Sequence, residues 1–145
     1  MIQDIEKYVL GSILIESKIL DKIAENLDKD LFADDKHKKI CQAILNVYNE
    51  GKNVDLITVS NELSKIDKKI TFSCLAELTV PISAVYNIED HIKILKEHYA
   101  YRKIEEIGTK ILKKTQEKKD DIIDIIVNIE KDLFDLSKTL ESSEI

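Results

Sequence analysis

Only three glycines and one proline occur in this chain of 145 residues, and that scarcity constrains the fold more than any other feature. Sandwiches, barrels and doubly wound sheets turn the chain many times and draw on glycine and proline at those turns. Helices joined by short polar connections are therefore the expected architecture. Gly11, Gly51 and Gly108 frame neither a G-x-x-x-x-G-K-[ST] loop nor a G-x-G-x-x-G turn, so nucleotide hydrolysis by those means is not expected of this chain. Its length suits about one domain with roughly two-thirds of its surface buried, enough to fold without disulfides or a metal. With 43% hydrophobic and 34% charged residues, the composition is that of a globular chain, far from the disordered, collagen-like and membrane classes.

The formal net charge is −6, and the imbalance is local: residues 1–119 hold 20 Lys+Arg and 20 Asp+Glu, whereas 120–145 hold 2 and 8. Phosphate backbones attract clustered positive charge, so an acidic chain is a poor candidate for autonomous DNA or RNA binding. A basic protein partner suits it better. Cys41 and Cys74 lie far apart and form no C-x-x-C motif, which makes both small apolar core residues in a reducing compartment. Met1-Ile2-Gln3-Asp4-Ile5-Glu6 lacks the basic start and apolar run of a signal peptide, and no apolar stretch approaches a membrane span. Cytoplasm is the expected location.

From Ile2 to Ile15 the apolar positions Ile2, Ile5, Val9, Ile13 and Leu14 recur at helical spacing. Gly11 interrupts that helix at a cost of about 1 kcal/mol, which predicts close approach of another element there. Ile19, Leu20, Ile23, Ala24 and Leu27 form a second short amphipathic segment, Leu31-Phe32 a plug between helices, and Asp34-Asp35-Lys36 a polar linker. Ile40, Cys41, Ile44, Leu45 and Tyr48 mark a third helix, with Gly51 placed for a left-handed terminus. Asp55 is the expected cap of a fourth segment carrying Leu56, Val59 and Leu63, and Thr71 of a fifth carrying Cys74, Leu75 and Leu78. Pro81 ends this compact helical head, about residues 1–80.

A long helix is predicted from Ala84 to about Gln116, with an apolar stripe through Ile88, Ile92, Leu95 and Tyr99 that shifts at Ala100 to Ile104, Ile107 and Ile111. The polar turn Glu117-Lys118-Lys119-Asp120-Asp121 opens a last helix, where Ile122, Ile126, Ile129, Leu133, Leu136 and Leu140 keep a 4-3-4-3-4 spacing. A short polar turn between two such helices makes an antiparallel hairpin, about residues 84–141, with Ile125 and Phe134 widening its apolar face. Residues 86–119 carry 9 positive and 6 negative side chains against 2 and 8 in 120–145, which favours the arms lying together. Each exposed pair is worth only some tenths of a kcal/mol, so the apolar seam must supply most of the stability. The combined face exceeds what two helices need. Ile104, Ile107, Ile111, Ile122, Ile126, Ile129, Leu133 and Leu136 are therefore the expected hairpin seam and self-association residues, with docking back on the head as the competing use of the face.

Other constellations are weaker. His91 and His98 lie seven residues apart, roughly 10 Å along a helix axis, too far to share one ion without further ligands; no metal and no cofactor are expected. His37 stands at the entry to the third helix and reads as structural, and the many carboxylates are expected on solvent-facing positions, so no catalytic set can be assembled. Ile40 to Lys65 has the outline of a helix-turn-helix. Its second helix would expose Asp55, Ser60, Asn61, Glu62, Ser64 and Lys65, which offer almost no phosphate anchors and no arginine for guanine.

Taken in order, Glu6 followed by Val9-Leu10-Gly11-Ser12-Ile13-Leu14, then Asp30-Leu31-Phe32, His37 with Ile40 and Ala43-Ile44, Gly51, Val54-Asp55-Leu56-Ile57-Thr58-Val59, Leu63 and Leu75-Ala76-Glu77-Leu78 make a recognisable series. It continues through Ser83-Ala84-Val85-Tyr86-Asn87-Ile88, Ile92-Lys93-Ile94-Leu95-Lys96-Glu97 and Arg102. Over nearly its whole length the chain resembles the N-terminal domain of the bacterial replicative DNA helicase family, DnaB. The resemblance implies a helical head plus a helical hairpin, hairpins that pair between subunits, dimers that assemble, as a trimer of dimers, into a collar on a hexameric ring, and a docking surface for primase and in some systems a loader. It also implies that the domain is non-catalytic, that the nucleotide-driven motor belongs to a following domain, and that the family's linker would begin near Leu140-Glu141-Ser142-Ser143, so that this chain is an isolated or excised domain. Two departures stand out: Ile66-Asp67-Lys68-Lys69-Ile70-Thr71 replaces a turn that often contains glycine, and His91 stands where an aromatic residue is common, which is expected to alter one packing contact.

The leading expectation is thus a non-enzymatic assembly and docking domain of a replicative helicase, with itself, primase and a loader as partners, and with neither strong nucleic-acid binding nor a membrane. A stand-alone regulator of helicase assembly with the same fold is the alternative, and a helix-turn-helix DNA-binding protein the weakest.

Overall fold

In the computed structural model, which describes residues 2–141, the apolar periodicities become seven helices with no strand among the described residues: α1 (Ile2–Ile15), α2 (Leu20–Ile23), α3 (Asp35–Asn49), α4 (Leu56–Ile66), α5 (Phe72–Thr79), α6 (Ile88–Glu117) and α7 (Ile122–Glu141). The all-α class and the terminal helical hairpin are those expected. Ser142 and Ser143, on which the linker expectation falls, lie outside the described residues.

By packing the chain divides into two units, Met1–Leu95 and Lys96–Ile145. The first is built on α3 laid against α4, with α1 against α5 and α3, and α4 against α5. Leu10, Ile13, Leu20, Ile23, Phe32, Ile40, Ile44, Leu63, Leu75, Ile92 and Leu95 form its fully buried core. A side chain at Gly11 would run into the backbone carbonyl of Leu78 on α5, which is the close approach that the interrupted helix predicts. The sequence places a boundary at Pro81, whereas the packing division falls inside α6, because Ile88, Ile92 and Leu95 are all buried in the first unit.

Local chemistry fixes most helix ends. Gly51 takes a left-handed φ of 75° after α3. Asp55 accepts from the Thr58 amide at 2.8 Å while the Thr58 hydroxyl accepts from the Asp55 amide at 3.0 Å, a reciprocal box that satisfies two orphan donors at the start of α4. Asp34-Asp35-Lys36 is not a linker: the Asp34 side chain accepts from the amides of Lys36 and His37, and α3 begins at Asp35. The second amphipathic segment is a short α2 flanked by 3₁₀ turns at Ser17–Ile19 and Ala24–Asn26. Thr71 does occupy the position before α5, but its hydroxyl makes no capping bond and instead lies 3.5 Å from the Cys74 sulfur.

The long helix starts at Ile88 and not at Ala84. The Tyr8 hydroxyl on α1 donates toward the carbonyls of Ala84 and Tyr86, at 3.1 and 3.2 Å, and accepts from the Tyr86 amide at 3.2 Å, taking backbone groups that a helix would have used. Asn87 then turns left-handed, with φ 56°, and its carbonyl accepts from the His91 amide and ring, at 3.1 and 2.6 Å. The His91 ring centre lies 4.8 Å from that of Tyr8, the two rings tilted against each other.

Candidate assembly surface

The second unit consists of the greater part of α6 and all of α7, joined by a turn in which Lys118 is left-handed. On α7, Ile125 and Leu136 are buried and Ile129 and Asp132 half-buried; on α6, Ile107, Ile111 and Lys114 are half-buried. At 100° per residue each set falls on one line along its helix, so these lines form the seam between the arms. Lys110 Nζ reaches Asp132 Oδ2 at 3.1 Å, and at the turn Lys114 Nζ reaches Asp120 Oδ2 at 2.5 Å. That second hydrogen-bonded pair holds the Asp120 carboxyl below its ordinary value and the Lys114 ammonium above its own.

The two flanks of the seam differ in chemistry. One is charged: Lys103, Glu106, Lys110, Asp132, Asp135 and Thr139 border a groove of about 360 Å³, and Lys110, Lys114, Lys119, Asp120, Asp124 and Asn128 border a second of about 490 Å³ nearer the turn. Turning the same way from the seam on two antiparallel helices leads to a common face, and in the other sense that face is apolar. It carries Ile104, Gly108 and Leu112 from α6 with Ile122, Ile126, Leu133 and Leu140 from α7. Ile123, Val127 and Phe134 continue it around the back of α7, all of them more than half exposed, with Lys138 Nζ 5.2 Å from the Phe134 ring centre.

The eight seam residues expected from the sequence therefore divide. Leu136 is buried and Ile107, Ile111 and Ile129 are half-buried along the seam, whereas Ile104, Ile122, Ile126 and Leu133 are 53, 59, 46 and 48% exposed. Ile125, expected with Phe134 to widen the apolar face of α7, is packed inward at 7% exposure, whereas Phe134 is 59% exposed. The 4-3 spacing marks a broad apolar arc, and the arc's edge, not its middle, meets the opposite arm. Leu112, Ile123 and Val127 were not among the expected residues; the doublets Ile122-Ile123 and Ile126-Val127 were the available signal, since adjacent apolar residues point 100° apart.

In the first unit one carboxylate contradicts the expectation that all face solvent. Glu6 and His37 are both buried, with His37 Nδ1 2.7 Å from Glu6 Oε1. Glu6 also accepts from the amides of Ala33 at 2.8 Å and Asp34 at 3.3 Å. Burial pushes the Glu6 carboxyl up, and the bonds from His37, Ala33 and Asp34 together bring it below its ordinary value. With both side chains shielded, the pair clamps the start of α3 to α1. Among the described residues no helix is long and apolar enough to cross a membrane.

Comparison with known proteins places this arrangement. Residues 2–97 match the family model described as DnaB-like helicase N terminal domain. The chain is 29% identical over 137 residues to the replicative DNA helicase DnaB of Rhodothermus marinus, an alignment covering 92% of this chain and 14% of that protein. The N-terminal domain of DnaB helicase from Mycobacterium tuberculosis superposes with a TM-score of 0.82 at 22% identity, covering 92% of this chain and 96% of that one. A DnaB-like replicative helicase, described together with its interactions with primase, superposes with a TM-score of 0.74 at 21% identity, over 92% of this chain and 31% of that one. At these identities the two structures establish the shared fold. Against the first two curated relatives, the chain spans 14% and 31% of their length.

Proposed function

The chain belongs to the DnaB-like helicase N-terminal domain family, and from that premise we propose that it is the non-catalytic assembly and docking domain of a replicative DNA helicase. The observation that carries this reading is the continuous apolar flank of the hairpin. Ile104, Ile122, Ile126 and Leu133 stand about half exposed there, and side chains of this size gain about 1.5–3 kcal/mol each on full burial. Copies pair through this flank, with Ile107, Ile111, Ile129 and Leu136 holding the arms in register beneath it. Pairs then assemble as a trimer of dimers into a collar, which presents the docking surface for primase and for a loader where one is used. The fold shared with a helicase described together with its primase interactions supports primase as the partner class.

The test is solution mass by size-exclusion chromatography with light scattering over a wide concentration range, for the wild type and for Ile126→Asp combined with Leu133→Asp. The wild type is expected to form a dimer or higher multiple, and the variant to be monomeric with an unchanged helical circular-dichroism spectrum, since both side chains point away from the seam. An oligomer that survives both substitutions would place the interface elsewhere and defeat the reading.

A further inference from the structure

Gly108 lies in the middle of α6, one turn from Ile104 and one from Leu112. Apart from proline, no residue is less favourable inside a helix, so a glycine there calls for a reason. Among the described residues none is found: its φ is not positive, and a side chain at this position would meet nothing within 4 Å. Gly11 is the contrast, since its missing side chain is required by a carbonyl on another helix of the same chain. Gly108 instead opens onto the apolar flank, between Ile104 and Leu112.

We propose that Gly108 is the point of closest approach between the hairpins of two copies, a notch in α6 that admits a large apolar side chain of the second copy. This rests on the reading that the hairpin flank self-associates. Two observations favour a second copy as the occupant. The same face carries both the notch and large projecting side chains, Ile126 and Leu133 at its middle and Phe134 at its edge, and a two-fold interface requires such self-complementarity because one patch must fit itself. About half of each of Ile104, Leu112, Ile122, Ile123, Ile126, Val127, Leu133 and Phe134 remains exposed, several hundred Å² in all, on the order of the roughly 800 Å² that each partner buries in a stable complex.

The experiment measures the dissociation constant of the dimer by dilution, together with thermal melting at concentrations where the chain is monomeric, for the wild type, Gly108→Ala, Gly108→Leu and Ile126→Asp. Filling a close contact strains it, so Gly108→Leu is expected to weaken the dimer by about tenfold or more and Gly108→Ala by less. Both should melt no lower than wild type when monomeric, because alanine and leucine favour the helix. If Ile126→Asp dissociates the dimer while Gly108→Leu keeps the wild-type constant, the notch is overturned and the interface stands. A lower monomer melting temperature for both glycine variants would place the need for glycine inside the chain and also overturn it. If the wild type does not associate, or Ile126→Asp leaves the dimer intact, the self-association reading fails and the notch fails with it.

Discussion

Glu6 is the only acidic side chain fully enclosed among the described residues, and its enclosure is stable because three donors face it. A carboxylate whose value is lowered by folding contributes stability that is fully present above its ordinary value of 4.5 and is lost as pH falls through the lower, folded value. Glu6→Gln retains the shape but loses the charge-assisted bonds and turns an amide donor toward donors, an expected loss of about 2 kcal/mol at neutral pH. Urea unfolding from pH 7 down to pH 3 checks both statements: the gap between wild type and variant should narrow on acidification, and a gap independent of pH would refute the clamp. Glu6 and His37 are each prominent in the primary structure, yet 31 residues separate them. Nothing in local spacing joins them; the fold of α3 back onto α1 does.

Helices were legible where their ends are decided by neighbours in sequence. The Asp55 cap and the left-handed Gly51 act over four residues or fewer, and both positions are legible from residue type alone. The start of α6 was not, because its competitor is a hydroxyl 76 residues away. Tyr8→Phe removes that hydroxyl and keeps the ring on His91. The expected result is faster amide hydrogen exchange at Tyr86 with little change in total helicity, because one segment loosens while the helices on either side keep their own bonds. Unchanged protection at Tyr86 would mean that the Asn87 turn alone holds the segment out of the helix.

For the whole molecule, the hairpin's two flanks separate charge from apolar surface, and assembly should respond to salt accordingly. The ion pairs Lys110–Asp132 and Lys114–Asp120 lie within one hairpin, on the flank away from Ile126 and Leu133. Raising salt from about 50 mM to about 500 mM shortens the Debye length several-fold and is expected to leave the dissociation constant of the proposed dimer unchanged or lower; dissociation with salt would point to the charged flank instead. The helical class, the hairpin, the Asp55 cap and the apolar arc of α7 could be recognised in the primary structure because each depends on residues within a turn or two of one another. Which edge of that arc meets α6, why Ile125 turns inward while Ile126 remains in water, and how Glu6 comes to face His37 depend on the register and packing of elements distant in sequence. Those contacts exist only once the chain has folded.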